Sequence, residues 1–366
     1  MIYLDYAASC PPFAESAELA CRLSLSHYAN PGALHDSGAQ ARGILNRSRK
    51  TMAQLLGCRD REIFFTSGGT EANNWAVKLG CRQGRGKTIL AGGTEHASIL
   101  DAARAMEAEG YRLKLLPTDE NGHISPQVLK ESLTEDTCLV CIQAVNNETG
   151  AVQDVAGIAA VTHAARVPFL CDAVQSFGHL DLPLHKADFI TLSAHKFGGP
   201  RGVGCLAVRY PYTLPPLLHG GGQELGLRSG TENVPGIAAM ALAAERAVEM
   251  MDGENARLAI LSAQLMAGLQ ALDPGIRVNG MPDHPGIRNC WFPGRSAEAL
   301  TAKLSLRGIC VSPGAACAAR DPQPSHVLLA MGYCRERASQ SLRFSLGRNT
   351  SEEDIRETIA ALKEIL

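Results

Sequence analysis

Residues 168–208 read PFLCDAVQSFGHLDLPLHKADFITLSAHKFGGPRGVGCLAV. Three short runs, 168–172, 188–193 and 203–208, are apolar almost throughout and are separated by stretches rich in Gly, Pro and charge. A strand with one wet face alternates apolar and polar residues, whereas a strand covered on both faces reads as a continuous apolar run. Moving toward the N-terminus, the same pattern returns at 62–66, 88–92, 112–116 and 138–144, with helical periodicity at 40–56, 72–79 and 97–108. Strands alternating with helices predict an α/β fold, with a mostly parallel mixed sheet of about seven strands and helices on both faces.

Past Gly222 the pattern changes. Two long helices are expected over 234–251 and 255–272, broken near Asp252-Gly253, followed by short strands at 276–279, 289–292, 308–311 and 342–345. This reads as a smaller C-terminal α/β domain. A Thr350–Glu353 capping box is expected to open the last helix. The division that follows is a large domain over 14–252 and a small one over 1–13 plus 253–366.

The 366 residues are 45% hydrophobic and 20% charged, an ordinary globular composition. A net charge of −2 provides no field for nucleic acid or an anionic membrane. No apolar run approaches the roughly 18 residues that a membrane helix needs. The opening MIYLDYAASC carries no basic-then-apolar leader, so a cytoplasmic location is expected. The 12 cysteines show no framework spacing and read as free thiols. Cys138 and Cys141 form the single C-x-x-C, inside a buried strand, and no second pair at zinc spacing accompanies them, so no metal site is expected.

Six motifs carry chemistry. Lys196 directly follows the 188–193 strand, in Ser193-Ala194-His195-Lys196. An amine at a strand end suits covalent capture of a carbonyl cofactor such as pyridoxal phosphate, although a turn lysine has the same local signature. Asp172 ends the preceding strand, and parallel strands gather their C-terminal ends at one edge where ligands bind. A carboxylate there would keep a pyridine nitrogen protonated, with Gln175 near the ring oxygen. A strand-end Asp in a plain turn fits equally. Residues 66–74 (TSGGTEANN) form a strand, a glycine turn and a helix start, an anion site built around Gly68, Gly69 and Thr70. His96 follows another strand and is placed to stack on a ring and move protons, or to stand idle in a loop. Cys317, in Ser312-Pro313-Gly314-Ala315-Ala316-Cys317, sits among small and polar residues, a setting for a reactive thiol or for an unremarkable one. Arg343 falls between Leu342 and Phe344 and suits either a grip on a carboxylate or a structural ion pair.

Taken in order, these motifs resemble the cysteine desulfurases of the pyridoxal-phosphate fold-type I, class-V aminotransferase-like superfamily. The likeness runs nearly end to end and includes residues 3–8 (YLDYAA), 30–31, 145–150 (VNNETG), 219–222 (HGGG), 228–231 (RSGT) and 341–348. It implies a fold-type I architecture and conversion of L-cysteine to L-alanine with sulfur left as a persulfide on Cys317. Lys196 would hold the cofactor as a Schiff base, Asp172 and Gln175 its ring nitrogen and oxygen, and His96 its ring face. Gly69, Thr70, Ser193 and His195 would bind its phosphate. Thr231 would reach the other subunit's phosphate, implying a homodimer. Asn147 and Arg343 would hold the substrate carboxylate. The spacing from Cys317 to Ser325-His326 matches the long-loop group, and the implied partner is a sulfur-acceptor protein of iron–sulfur or thio-cofactor assembly. A selenocysteine lyase, another β-lyase, or a sulfur-relay scaffold that kept the fold are the competing readings.

There are departures. Gly69 stands where many relatives have alanine, an exchange expected to be harmless beside a phosphate. Pro313 in SPGAAC replaces a serine of many relatives and would stiffen the loop. Relatives that dock an iron–sulfur scaffold have a longer tail after the Arg343 segment, so that partner is in doubt.

Overall fold

The structure is a computed structural model in which residues 1–314 and 324–366 are described. Among these, the strands are β1 (Ile2–Tyr3), β2 (Ile63–Thr66), β3 (Thr88–Gly92), β4 (Arg112–Leu116), β5 (Thr137–Gln143), β6 (Phe169–Asp172), β7 (Phe189–Ser193), β8 (Gly204–Val208), β9 (Arg277–Val278), β10 (Ile287–Trp291), β11 (Ile309–Cys310) and β12 (Ser341–Ser345). The first seven helices are α1 (Ala14–Ser26), α2 (Asp36–Leu55), α3 (Gly69–Gly80), α4 (Ala97–Ala105), α5 (Pro126–Ser132), α6 (Val155–Ala165) and α7 (Val234–Leu272).

The large sheet has the order β2-β8-β7-β6-β5-β3-β4. Only β8 runs against its neighbours. Successive side chains on a strand point to opposite faces. On β5, Leu139 and Cys141 therefore enter one core with Trp75 of α3 and Ile99 of α4. Val140 and Ile142 enter the other, with Met52 of α2, Ile158 of α6 and Met240 of α7. Both layers are apolar, which is why the strands read as unbroken apolar runs. The edge strand β4 is the exception: Arg112 and Lys114 are exposed and leave the edge charged.

A smaller antiparallel sheet, β12-β10-β9, and the parallel pair β1-β11 complete the strands. Ile2 and Leu4 lie in a third core with Leu258, Leu265, Phe344 and Leu362. The pairing of β1 was not expected from sequence, because two residues carry no periodicity.

Two local expectations are corrected. The break near Asp252-Gly253 does not exist: α7 is one helix of 39 residues. Gly253 is solvent-exposed, and its helical cost of about 1 kcal/mol is offset by packing on both sides, through Ile237–Ala247 in one core and Leu258–Leu269 in another. The last helix, Glu352–Ile365, is capped by Ser351 and Asp354, not by Thr350 and Glu353. Thr350 is buried and accepts instead from the Gly347 N–H at 3.1 Å.

Candidate active site

The C-terminal ends of β2, β3, β5, β6 and β7 face one edge of the large sheet, and a cleft of about 440 Å³ opens there. Gly69, Thr70, His96, Asn147, Asp172, Gln175, Ser193, His195, Lys196 and Arg343 all line it. Thr231 does not: it is exposed, away from the cleft of its own chain. Cys317 lies outside the described residues.

Asp172 is buried at the end of β6. Its Oδ2 accepts from Asn73 Nδ2 at 2.7 Å and its Oδ1 from the Val174 N–H at 2.9 Å. Asn73 is fixed in turn by Thr191, whose hydroxyl donates to Asn73 Oδ1 at 2.6 Å, and by Ser98 at 2.9 Å. A carboxylate with about four lone-pair positions and two partners retains acceptor capacity for a ring N–H. Ser98 also ties in His96. Its backbone N–H donates to His96 Nδ1 at 3.1 Å, so a neutral imidazole carries its proton on Nε2. Burial lowers the His96 pKa, against the pull of Asp172, which favours that neutral form.

Lys196 occupies the turn after β7, and its Nζ donates to the Ala7 carbonyl. Burial first, then the nearby Arg343 charge, lowers its pKa to about 8. His195 is held by Ser9 at 3.1 Å, and burial with the Lys196 and Arg201 charges lowers its pKa to about 4.

The glycine turn at the start of α3 is packed from below. A Cβ at Gly204 of β8 would stand 2.5 Å from the Gly68 carbonyl carbon, so only glycine lets the strand approach. A Cβ at Gly69 would stand 2.9 Å from Val174 Cγ2. An alanine at 69 would therefore press on the valine beside it. Gly69→Ala is expected to weaken cofactor affinity about tenfold through overpacking, and Val174→Ala in the same chain to restore it. Equilibrium titration of the apoproteins with pyridoxal phosphate checks both.

Arg343 is 1% exposed on β12. It donates to Asp5 Oδ1 at 2.7 Å and to the Asn147 carbonyl at 3.0 Å, while its Nε is buried without a partner. The structural ion pair considered from sequence exists, yet the guanidinium is not saturated. Gln175 Oε1 is likewise buried and unpartnered. An open glycine cradle, a carboxylate with spare capacity and unpaired polar atoms fit a flat, phosphorylated pyridine, so the residues match the expected cofactor.

Other residues escaped the sequence reading. Asn73 was signalled only as a polar residue on the buried face of an apolar helix. Glu95 is fully buried, accepts from the Gln143 N–H at 3.0 Å, and burial holds its carboxyl well above the usual range. Glu148 and His326 also line the cleft. No role was read for these three from sequence, although Glu148 lies in the 145–150 stretch and His326 in the Ser325-His326 pair. Among the described residues no group of three or more His, Cys, Asp or Glu is placed to hold a metal ion.

The profile of the class-V aminotransferase family matches residues 2–357. A protein called cysteine desulfurase IscS from Clostridium botulinum is 37% identical over 373 residues, covering all of this chain and 94% of the relative. Another of that name from Serratia proteamaculans is 40% identical over 374 residues, covering 99% of this chain and 92% of the relative. A solved structure titled NifS-like protein superposes with a TM-score of 0.93 at 34% identity, over all of this chain and 98% of the other.

Proposed function

The chain belongs to the class-V aminotransferase family and, within it, to the pyridoxal-phosphate-dependent cysteine desulfurases; from that premise we propose a role for each side chain in the cleft. The observation that carries the assignment is the placement of Asp172 and Lys196 at the ends of adjacent parallel strands, with the buried Arg343 across the same cleft. Lys196 holds the cofactor covalently, Asp172 pairs with its ring nitrogen, Gln175 with its ring oxygen, and Gly69, Thr70, Ser193 and His195 with its phosphate. The bound cofactor supplies an electron sink for the charge left when the substrate loses its α-proton.

Arg343 and Asn147 hold the carboxylate of L-cysteine. The α-proton goes to Lys196, whose pKa of about 8 leaves a usable amine fraction near neutrality. His96 is less suited to accept it, since Nδ1 is engaged by the Ser98 N–H; it stacks and donates from Nε2. Cys317, as thiolate, attacks the substrate sulfur. The C–S bond breaks, sulfur stays on Cys317 as a persulfide, and the carbon skeleton leaves as alanine after proton uptake.

We place Thr231 against the phosphate of a second subunit, which accounts for its exposure in one chain and makes the enzyme a homodimer. The persulfide passes to a sulfur-acceptor protein. No helix among the described residues is long and apolar enough to cross a membrane, and we assign a cytoplasmic location. The domain division at 14–252 would fall within α7, which would then bridge the two cores.

Purified holoenzyme given L-cysteine is expected to yield alanine and protein persulfide in equal first-turnover amounts. L-selenocysteine is expected to react no faster. Alanine without protein-bound sulfur, or a clear preference for the selenium substrate, would overturn the assignment in favour of a β-lyase or a selenocysteine lyase.

A further inference from the structure

The turn at residues 5–8 touches both cations of the cleft. Ala7 presents its carbonyl to Lys196 Nζ, and Asp5 presents its carboxylate to Arg343 Nη2 at 2.7 Å. The turn is pinned to β12 next to that arginine. Ser345 donates its backbone N–H to the Leu4 carbonyl at 2.8 Å, the Tyr6 N–H donates to the Ser345 carbonyl at 3.1 Å, and the Ala7 N–H to Ser345 Oγ at 2.9 Å. Residues 343 and 345 share one face of the strand, so the contacts that fix the turn also aim Asp5 at the guanidinium.

A guanidinium 1% exposed needs a counter-ion when no ligand is bound. The Asp5 side chain, 19% exposed, supplies it from the solvent side. When an amino acid arrives, its carboxylate meets a guanidinium that already carries a negative partner. The Nε proton and the remaining Nη protons are still free, so both carboxylates can share one fork, repelling each other as they do.

We propose that Asp5 is a positioning residue for the carboxylate grip: the resident counter-ion of Arg343, which holds the guanidinium in place in the free enzyme and weakens its hold on bound amino acid, so that alanine is released. This rests on the reading of Arg343 as the carboxylate site.

The test uses holoenzyme titrated with L-alanine, by calorimetry and by the change in the cofactor's visible absorbance. Asp5→Asn removes the charge at nearly constant shape, and Asp5→Ser removes it with a shorter side chain, should the first variant fold poorly. Each is expected to bind alanine about tenfold more tightly, since one like charge has gone from a screened but half-buried site. With L-cysteine, kcat and KM are expected to fall together. Asp5→Glu keeps the charge and is expected to return alanine affinity to within about twofold of the parent. Unchanged or weaker alanine binding in the charge-removing variants would overturn the proposal, as would the same tightening in Asp5→Glu. Arg343→Gln separates the two readings: if it leaves alanine affinity intact, the assignment of Arg343 itself has failed, whatever Asp5 does.

Discussion

Replacing Lys196 by alanine is expected to leave a folded protein that shows no cofactor absorbance band after desalting and turns over L-cysteine at least about 10³-fold more slowly. Three observations lead to this. Lys196 is the amine at the end of β7, in the same cleft as Asp172 and the glycine turn. In the proposed mechanism it serves both covalent attachment and α-proton removal, so one truncation would remove two functions. Its loss costs the fold little: the ammonium is already disfavoured by burial, and the hydrogen bond to the Ala7 carbonyl contributes about 1 kcal/mol. Cofactor absorbance and a thermal melt distinguish this from unfolding. The parent enzyme provides a matching pH signature. Only the neutral amine attacks a carbonyl, and with a pKa of about 8 roughly a tenth of Lys196 is neutral at pH 7. Uptake of cofactor by the apoprotein should therefore rise with pH through a midpoint near 8, below the 10.5 of an unperturbed lysine. A coloured, active Lys196→Ala protein would overturn the assignment.

Most of the sheet was legible because its strands are covered on both faces; the observed bounds of β3 coincide with the apolar run read at 88–92, and even the charged edge strand β4 keeps the bounds read at 112–116. The cleft was legible where a strand end carries its own candidate residue: Asp172 and Lys196, read from sequence, both line it. It was illegible where function depends on distant parts of the chain. Asp5 and Arg343 are 338 positions apart, and nothing around either residue announces the other. Asn73 looked like one polar residue in a helix start until Thr191, Ser98 and Asp172 were seen around it. The false break in α7 has the opposite cause. Asp252 and Gly253 are poor helix formers, and local propensity gave way to packing at both ends of the helix. At Gly69, nothing in the local sequence announces Val174, whose Cγ2 an added β-carbon would approach to 2.9 Å.

Replacing Cys317 by alanine is expected to keep the absorbance band and the spectral response to L-cysteine, while protein-bound persulfide disappears and alanine formation falls at least a hundredfold. The structure supports this by elimination among the described cysteines. None of them lines the cleft. Cys171 adjoins Asp172, yet it is fully buried and its thiol is held well above the usual range by burial. Cys10 lies on the far side of Lys196, buried, with its thiol donating to the His195 carbonyl at 3.2 Å and its pKa raised by burial. Neither offers the accessible thiolate that attack on sulfur requires. Cys21 and Cys334 are exposed but away from the cleft. The residues flanking 315–323 meet at its wall instead. Ser325 donates to Glu148 Oε2 at 2.5 Å, and a Cβ at Gly314 would stand 3.3 Å from the same oxygen. Cys317 falls within the segment that these two residues flank. Alkylation of the enzyme after a single turnover, read by mass spectrometry, locates the sulfur. Sulfide release by the alanine variant equal to that of the parent would mean that the sulfur leaves without passing through Cys317.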